Sequence, residues 1–428
     1  MEYSFYDFLK LIGSLGLFLY GMKIMSEGLQ KVAGDRLRSI LTAMTTNRVT
    51  GVLTGVLITA LIQSSSATTV MVVSFVNAGL LTLAESISVI MGANIGTTVT
   101  AWIISIFGFK VDMAAFALPL LAIALPLIFS GKSNRKSIGE FIFGFSFLFM
   151  GLSYLKANAP DLNANPEMLA FVQNYTDMGF FSIILFLLIG TILTMIVQAS
   201  AATMAITLIM CANGWISLEL GAALVLGENI GTTITANLAA MVANTTAKRA
   251  AFAHFLFNLF GVAWVLAIFP FFLGWVAQLS IYLGIGDPFT SVGSVPVALS
   301  LFHTCFNVAN VLILIWFTKV IAKLVTHIIK SKESADDAFT LKHIKIGLLS
   351  TPDASLFQAK QEISHYAKNT LDMYRQVVEC LHTPSKEFEK KFNKIDKLED
   401  ESDVVEVEIA DYLTKVSESK LSTENSQR

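Results

Sequence analysis

The chain has 428 residues with a formal net charge of −2; 54% are hydrophobic, only 14% are charged, and the mean hydropathy is +0.64. That balance lies outside the range of soluble globular domains and fits a chain whose solvent is largely lipid. No basic stripe or recognition motif argues for nucleic acid as a partner. The three cysteines, Cys211, Cys305 and Cys380, have neither metal nor redox spacing.

In chain order the apolar segments fall at about residues 8–29, 51–81, 87–109, 113–130, 138–155, 180–215, 218–247, 250–279 and 297–318. Glu2 and Asp7 spoil the positive start of a signal peptide and no small-residue cleavage site follows. The first segment therefore reads as a retained span, whose Lys23 and Glu27 must snorkel or lie at the interface. Residues 51–109 hold one formal charge, Glu85, and residues 179–247 hold two, Glu219 and Glu228. Segments so long and so poor in charge are membrane spans; Glu85 and Glu219 fall near span ends.

Segments 51–81 and 180–215 carry a polar motif in the middle, QSSSATT from Gln63 and QASAATM from Gln198. Each apolar half is short for a full span of roughly 20 residues, so each segment is expected to be a re-entrant helical hairpin with its tip at the motif. Thirty-one residues after each glutamine stands a second motif, GANIGTTVTA around Asn94 and GENIGTTITA around Asn229. Gln198 lies 135 residues after Gln63, as Asn229 does after Asn94, so the copies superimpose without a gap.

With the hairpins not crossing, seven crossings remain, and the charges sort by side. Lys31, Arg36, Arg38, Arg48, Lys132, Arg135, Lys136, Lys248, Arg249, Lys319, Lys323 and Lys330 fall on one side; Glu2, Asp7, Asp161, Glu167, Asp177 and Asp287 fall on the other. The positive-inside rule then puts the N-terminus outside and the C-terminus in the cytoplasm, for a multi-pass protein of the cell membrane. Three crossings precede the second copy, so the copies are inverted, the sequence pointer to a secondary transporter. The expected fold is all-α and polytopic, with two inverted repeats, each with a hairpin and a helix broken or unwound at its NIGTT glycines. The first repeat is expected over residues 1–130, the second with the last span over 131–330, and a soluble helical tail over 331–428. In the tail, Ile363, Ala367, Thr370, Tyr374, Val377 and Leu381 form an amphipathic stripe. Pro384 breaks it, and a second helix follows through Phe388, Phe392, Ile395, Val405, Ile409 and Val416. Such stripes must bury against each other, a second copy of the chain, or the membrane.

If the returning half of each hairpin starts at the tip, its N–H groups and helix dipole suit an anion. Ser64, Ser65, Ser66 and Thr68 add hydroxyls; the second copy keeps Ser200 and Thr203 but has Ala199 and Ala201. The NIGTT motifs are the expected facing wall, with Asn94, Asn229, Thr98 and Thr233 reaching the anion. For a cation the candidates are Gln63 and Gln198 at the ends of the incoming halves, Ser66, Thr97, Thr232, and Glu228, whose counterpart is Ala93. Neither repeat has a Lys or Arg in its polar core. A dianion such as hydrogen phosphate would need cations beside it, and co-bound Na⁺ would supply them. HFLFN from His254 and HTCFN from His303 place His and Asn on one helix face, for interhelical hydrogen bonding first and pH tuning second. No nucleophile, base and acid stand at credible spacing, so no enzyme is expected.

The paired QSSS/QASA and GxNIGTT motifs resemble the type II sodium–phosphate cotransporter family, especially its bacterial members, over about residues 11–318. The resemblance implies Na⁺-driven transport of inorganic phosphate by alternating access. It makes Gln63, Ser64, Ser65, Ser66, Gln198, Ser200, Asn94 and Asn229 site residues. Residues 348–378 look like the start of a PhoU-like helical domain, of which about two helices are expected here. The rivals are transport or export of another oxyanion, a membrane sensor signalling through the tail, and, distantly, an intramembrane hydrolase using Ser65 with His254 or His303.

Overall fold

The computed structural model describes residues 4–33, 47–77, 79–160, 175–330, 341, 344, 352–382 and 384–417, and all secondary structure among them is helical. Helix α1 spans Phe5–Ala33. A hairpin follows, of α2 (Arg48–Ile62) and α3 (Ser65–Asn77), then α4 (Leu83–Ser105), α5 (Ala117–Ile128) and α6 (Ser133–Asn158). The second hairpin is α7 (Phe180–Val197) with α8 (Ser200–Ala212). It is followed by α9 (Leu218–Ala240), α10 (Thr245–Ala267), α11 (Phe269–Tyr282), α12 (Val295–Leu314) and α13 (Thr318–Ile328). The tail is α14 (Pro352–Leu381) and α15 (Ser385–Ser417). Among the described residues, six helical segments are long and apolar enough to cross a membrane.

Helix starts follow local chemistry. Asn47 and Thr50 form a capping box for α2, as Thr82 and Glu85 do for α4; Ser217 caps α9 and Asn244 caps α10. Glu85 therefore closes a helix end, in keeping with its expected place near the end of a span. The 135-residue offset holds in three dimensions: α3 maps onto α8 and α4 onto α9 end for end.

The two copies run in opposite directions. Asn244, at the start of α10, bonds Asn77 at the base of the first hairpin, with its N–H on Asn77 Oδ1 at 2.7 Å and its Nδ2 on Asn77 O at 3.0 Å. So α9 ends on the face where α4 begins. At the far end of α4, the Ala101 carbonyl accepts from Ser300 Oγ at 3.0 Å, and Trp102 Nε1 donates to Thr304 Oγ1 at 2.9 Å. Ser300 and Thr304 lie in the first half of α12, and Val292, just before that helix begins, lies by Gly214 at the base of the second hairpin. Helices α1 and α6 pack antiparallel at backbone distance. A Cβ on Gly21, Gly144 or Gly151 would stand 2.3 Å or less from the facing backbone, with Gly21 opposite Leu148 and Gly151 opposite Phe18.

Four expectations change. The NIGTT helices are continuous through Gly92 and Gly96 and through Gly227 and Gly231, so neither is unwound. These glycines admit α2 and α7 instead: a Cβ at Gly92 would stand 1.9 Å from the Val52 carbonyl oxygen, and one at Gly227 would stand 2.0 Å from that of Leu187. Helix α7 has 18 residues and is long enough by itself to cross, yet it turns back into α8. The single span expected at 250–279 is two helices meeting at Ile268, because Pro270 can only occupy the first turn of α11. In the tail, α14 and α15 pair, with Ala359, Val405, Ile409, Tyr412 and Val416 in their core. The expected stripe members Ile363, Tyr374, Val377 and Leu381 are exposed. The buried face of α14 is set instead by Ser355, Gln358, Ala359 and Glu362, where Tyr412 donates to Gln358 Oε1 at 2.8 Å and Glu362 accepts from the Ile344 N–H at 3.0 Å. The loop between α3 and α4 meets the tail, Gly79 lying against the Gln361 side chain.

Candidate functional site

Each hairpin reverses at its glutamine. Gln63 and Gln198 take φ of 57° and 53°, the only non-glycine residues with positive φ among the described ones. An L-residue adopts this left-handed conformation at a cost of about 1–2 kcal/mol, so the surrounding contacts must impose it. Those contacts are duplicated. Thr59 donates to Thr68 at 3.0 Å across the first hairpin, and Thr194 to Thr203 at 3.0 Å across the second. Glycines on α4 and α9 then seat the incoming halves, as described above.

The two tips face each other across one cavity of about 470 Å³. Gln63, Ser64, Ser66 and Ala67 line it from the first tip; Val197, Gln198, Ala199, Ser200 and Ala201 line it from the second. At N1 and N2 of the returning helices, the N–H groups of Ser65, Ser66, Ser200 and Ala201 have no carbonyl one turn back, which gives both tips a positive end. The Ser64 hydroxyl accepts from Ala67 N–H at 3.2 Å and so caps its own helix; Ala199 has no side chain to do this for α8. Gln63 is held by its neighbours, its Nε2 donating to Ala60 O at 2.5 Å and its Oε1 accepting from Thr100 at 3.1 Å. Gln198 is exposed in the cavity.

Of the residues singled out from the sequence, Gln63, Ser64, Ser66, Gln198 and Ser200 meet at this cavity. The others lie outside its lining. Ser65 is buried beneath the first tip, and Thr68 and Thr203 form the hairpin clasps. Thr97 and Thr98 bond back to carbonyls of α4, and Thr232 and Thr233 to those of α9. Glu228 is buried, and its Oε2 has no hydrogen-bond partner among the described residues.

Asn94 and Asn229 lie outside the cavity lining and bond neighbouring helices. Asn94 Nδ2 donates to Asn258 Oδ1 at 2.7 Å, and its Oδ1 lies 3.1 Å from His254 Nε2. Asn229 Nδ2 donates to Asn307 Oδ1 at 3.1 Å, and its Oδ1 lies 3.1 Å from His303 Nε2. Asn258 and Asn307 each donate back to the histidine carbonyl of their own helix at 2.9 Å. Two matched clamps result, one joining α10 to α4 and the other joining α12 to α9. The His–Asn pairs are thus interhelical ties, with both ends of each NIGTT amide occupied.

The sequence reading also missed a wall. Leu19, Met22, Lys23, Ser26, Glu27 and Gln30 of α1 line the same cavity. Their spacing of three and four residues is a helical face and was legible in the sequence, but Lys23 and Glu27 looked like interfacial charges. The cavity thus contains a lysine that neither repeat motif supplies.

A family model described as Na⁺/Pi-cotransporter matches the chain twice, over residues 17–157 and 164–304. The YjbB proteins of Salmonella typhimurium (strain LT2) and Escherichia coli (strain K12), named for inorganic phosphate export, are each 28% identical over 98% of this chain and 73% of their own length. YqeW of Bacillus subtilis (strain 168), an uncharacterized protein, is 32% identical over 74% of this chain and 96% of its own. Rat sodium-dependent phosphate transport protein 2A is 41% identical over 100 residues, 22% of this chain and 15% of that protein. No solved structure matches the chain.

Proposed function

Because the chain belongs to the Na⁺/Pi-cotransporter family, we propose that it is a secondary active transporter that couples inorganic phosphate to Na⁺ by alternating access between the two hairpin tips. The observation that carries this reading is the single cavity into which both tips open from inverted repeats. Phosphate sits between the helix N-termini of α3 and α8, where N–H groups, Ser64, Ser66 and Ser200 donate to it. Na⁺ is held by the carbonyl ends of α2 and α7 with Gln63 and Gln198. Glu228, buried with an unpartnered oxygen where the first repeat has Ala93, is a second cation or proton site.

Co-binding follows from charge: a dianion taken out of water needs positive charge beside it. Any net charge carried inward along the membrane potential gains about 2.3 kcal/mol per 100 mV. In the cell membrane, the basic face is cytoplasmic by the positive-inside rule. That face holds Arg48, bonded to Trp316 O, and Arg249, bonded to Ile329 O, and the tail lies on it against Gly79.

The test is uptake of radiolabelled phosphate into proteoliposomes under an inward Na⁺ gradient, against a matched K⁺ gradient. Na⁺-dependent accumulation that falls when Ser66 or Gln198 is substituted supports the reading; no phosphate flux in either direction from folded protein overturns it. Export is the second reading, favoured by the name of the YjbB relatives. Efflux from phosphate-loaded vesicles exceeding uptake at equal gradients would establish it. A sensor would bind phosphate without flux and lose its effect when residues 331–428 are removed.

A further inference from the structure

The third wall of the cavity belongs to α1 and is tied to the first tip. The Ser26 hydroxyl donates to the Ile62 carbonyl, immediately before Gln63, and Gln30 Nε2 donates to Ser26 Oγ at 3.0 Å. Helix α1 also packs against α8 and so reaches both hairpins. Lys23 and Glu27 stand one turn apart on this wall with Nζ 3.9 Å from Oε1, and among the described residues they are the only charged ones in the lining.

Charges within a spanning helix are expensive and are kept where they serve a pathway. This pair is loose. The side chains are 68% and 47% exposed and the separation is long for an ion pair, so the glutamate holds the ammonium weakly. An oxyanion between the tips offers that ammonium shorter, charge-assisted bonds. Lysine suits the exchange because it is a compact charge with three donors on a flexible stem.

We propose that Lys23 is the cationic contact of the transported oxyanion, and that Glu27 is its counter-ion in the empty site. Binding of a dianion draws Lys23 from Glu27 and leaves that carboxylate to hold the accompanying cation. The pair is neutral overall, so the empty cavity carries no net charge, while the loaded one holds anion and cation on separate partners. The inference rests on the phosphate-transport reading and names the residue that sets its preference for a dianion.

The experiment is initial-rate uptake of radiolabelled phosphate by the purified full chain in proteoliposomes, with KM measured for phosphate and for Na⁺. Lys23→Met should raise the phosphate KM about tenfold or more, and Lys23→Arg should restore it to within a few fold. Glu27→Gln should move the other way, lowering the phosphate KM while raising that for Na⁺. In the double variant the gain from Glu27→Gln should vanish, because there is no lysine left to release. A merely structural pair would cut the amount of active protein and leave both KM values unchanged, and that result overturns the proposal. Absence of phosphate flux in the wild type would instead bring down the transport reading itself. Equilibrium phosphate binding to the monodisperse fraction decides the matter for any variant that inserts poorly, with unchanged affinity in Lys23→Met counting against the proposal.

Discussion

The first and second hairpin tips have the same backbone and different chemistry. Both turn at a left-handed glutamine, both are clasped by a Thr–Thr bond at 3.0 Å, and both lean on a glycine-lined helix. The first is closed on itself: Ser64 caps α3, and Gln63 is engaged by Ala60 and Thr100. In the second, Ala199 leaves α8 without a side-chain cap, and Gln198 extends into the cavity. Duplication thus preserved what builds the turn, because close backbone contacts tolerate no change. It released what points into the cavity, where side chains can diverge. Two equal scaffolds can thereby hold different ions.

The equality of the scaffolds can be broken first, with the largest effect. Gly92→Ala and Gly227→Ala each push a methyl into a carbonyl oxygen about 2 Å away. Each should cost about 3 kcal/mol and sharply reduce monodisperse protein on size-exclusion chromatography; a wild-type profile for either would mean that the repeats are not packed alike. Next come the clamps. Asn94→Leu and Asn229→Leu each leave a buried histidine ring nitrogen and an asparagine side-chain oxygen without the partners they have now, so each should lower stability by about 2 kcal/mol, read as a fall in thermal midpoint. A change in phosphate KM with no loss of stability would return these asparagines to the binding site.

The difference between the tips can be sharpened by grafting. Ala199→Ser should cap α8, raise stability by about 1 kcal/mol and alter the phosphate or Na⁺ KM, while Ser64→Ala should lose about as much from the first tip. Equal stability for wild type and both variants would show that neither serine position acts as a cap. The smallest effect lies away from the tips. Glu379 bonds Lys391 at 2.8 Å between α14 and α15, and this partner holds the carboxyl below its ordinary range. The contribution is therefore present above the ordinary glutamate pKa and is lost as pH falls through the folded value. Lys391→Ala should flatten that acid-side slope in the unfolding of the tail helices; an unchanged slope would dismiss the pair.

Much of the frame was legible in the residues. The membrane class followed from apolar runs with almost no charge, and the duplication from two motif pairs at one offset. The re-entrant turns followed from polar tips in apolar segments. The two tail helices were separated correctly at Pro384, although their buried face was misjudged, since Ala359 and Tyr412 pack there while Tyr374 and Leu381 face out. The site was half legible: the tip residues converge, but Asn94 and Asn229 spend their polar groups on neighbouring helices and the NIGTT threonines bond back to their own.

What the sequence determined alone is whatever depends on local order along the chain: hydrophobic length, helix caps, motif spacing, and the charge bias from which orientation is inferred. What only the tertiary structure decided is which polar group meets which. An asparagine side chain is satisfied equally well by an ion or by a histidine on another helix, and a lysine in an apolar run fits equally well at an interface or in a cavity. Spacing cannot distinguish these choices, because the partner comes from a distant part of the chain. His254 and His303 claim the two asparagines, and α1 brings Lys23 and Glu27 to the tips.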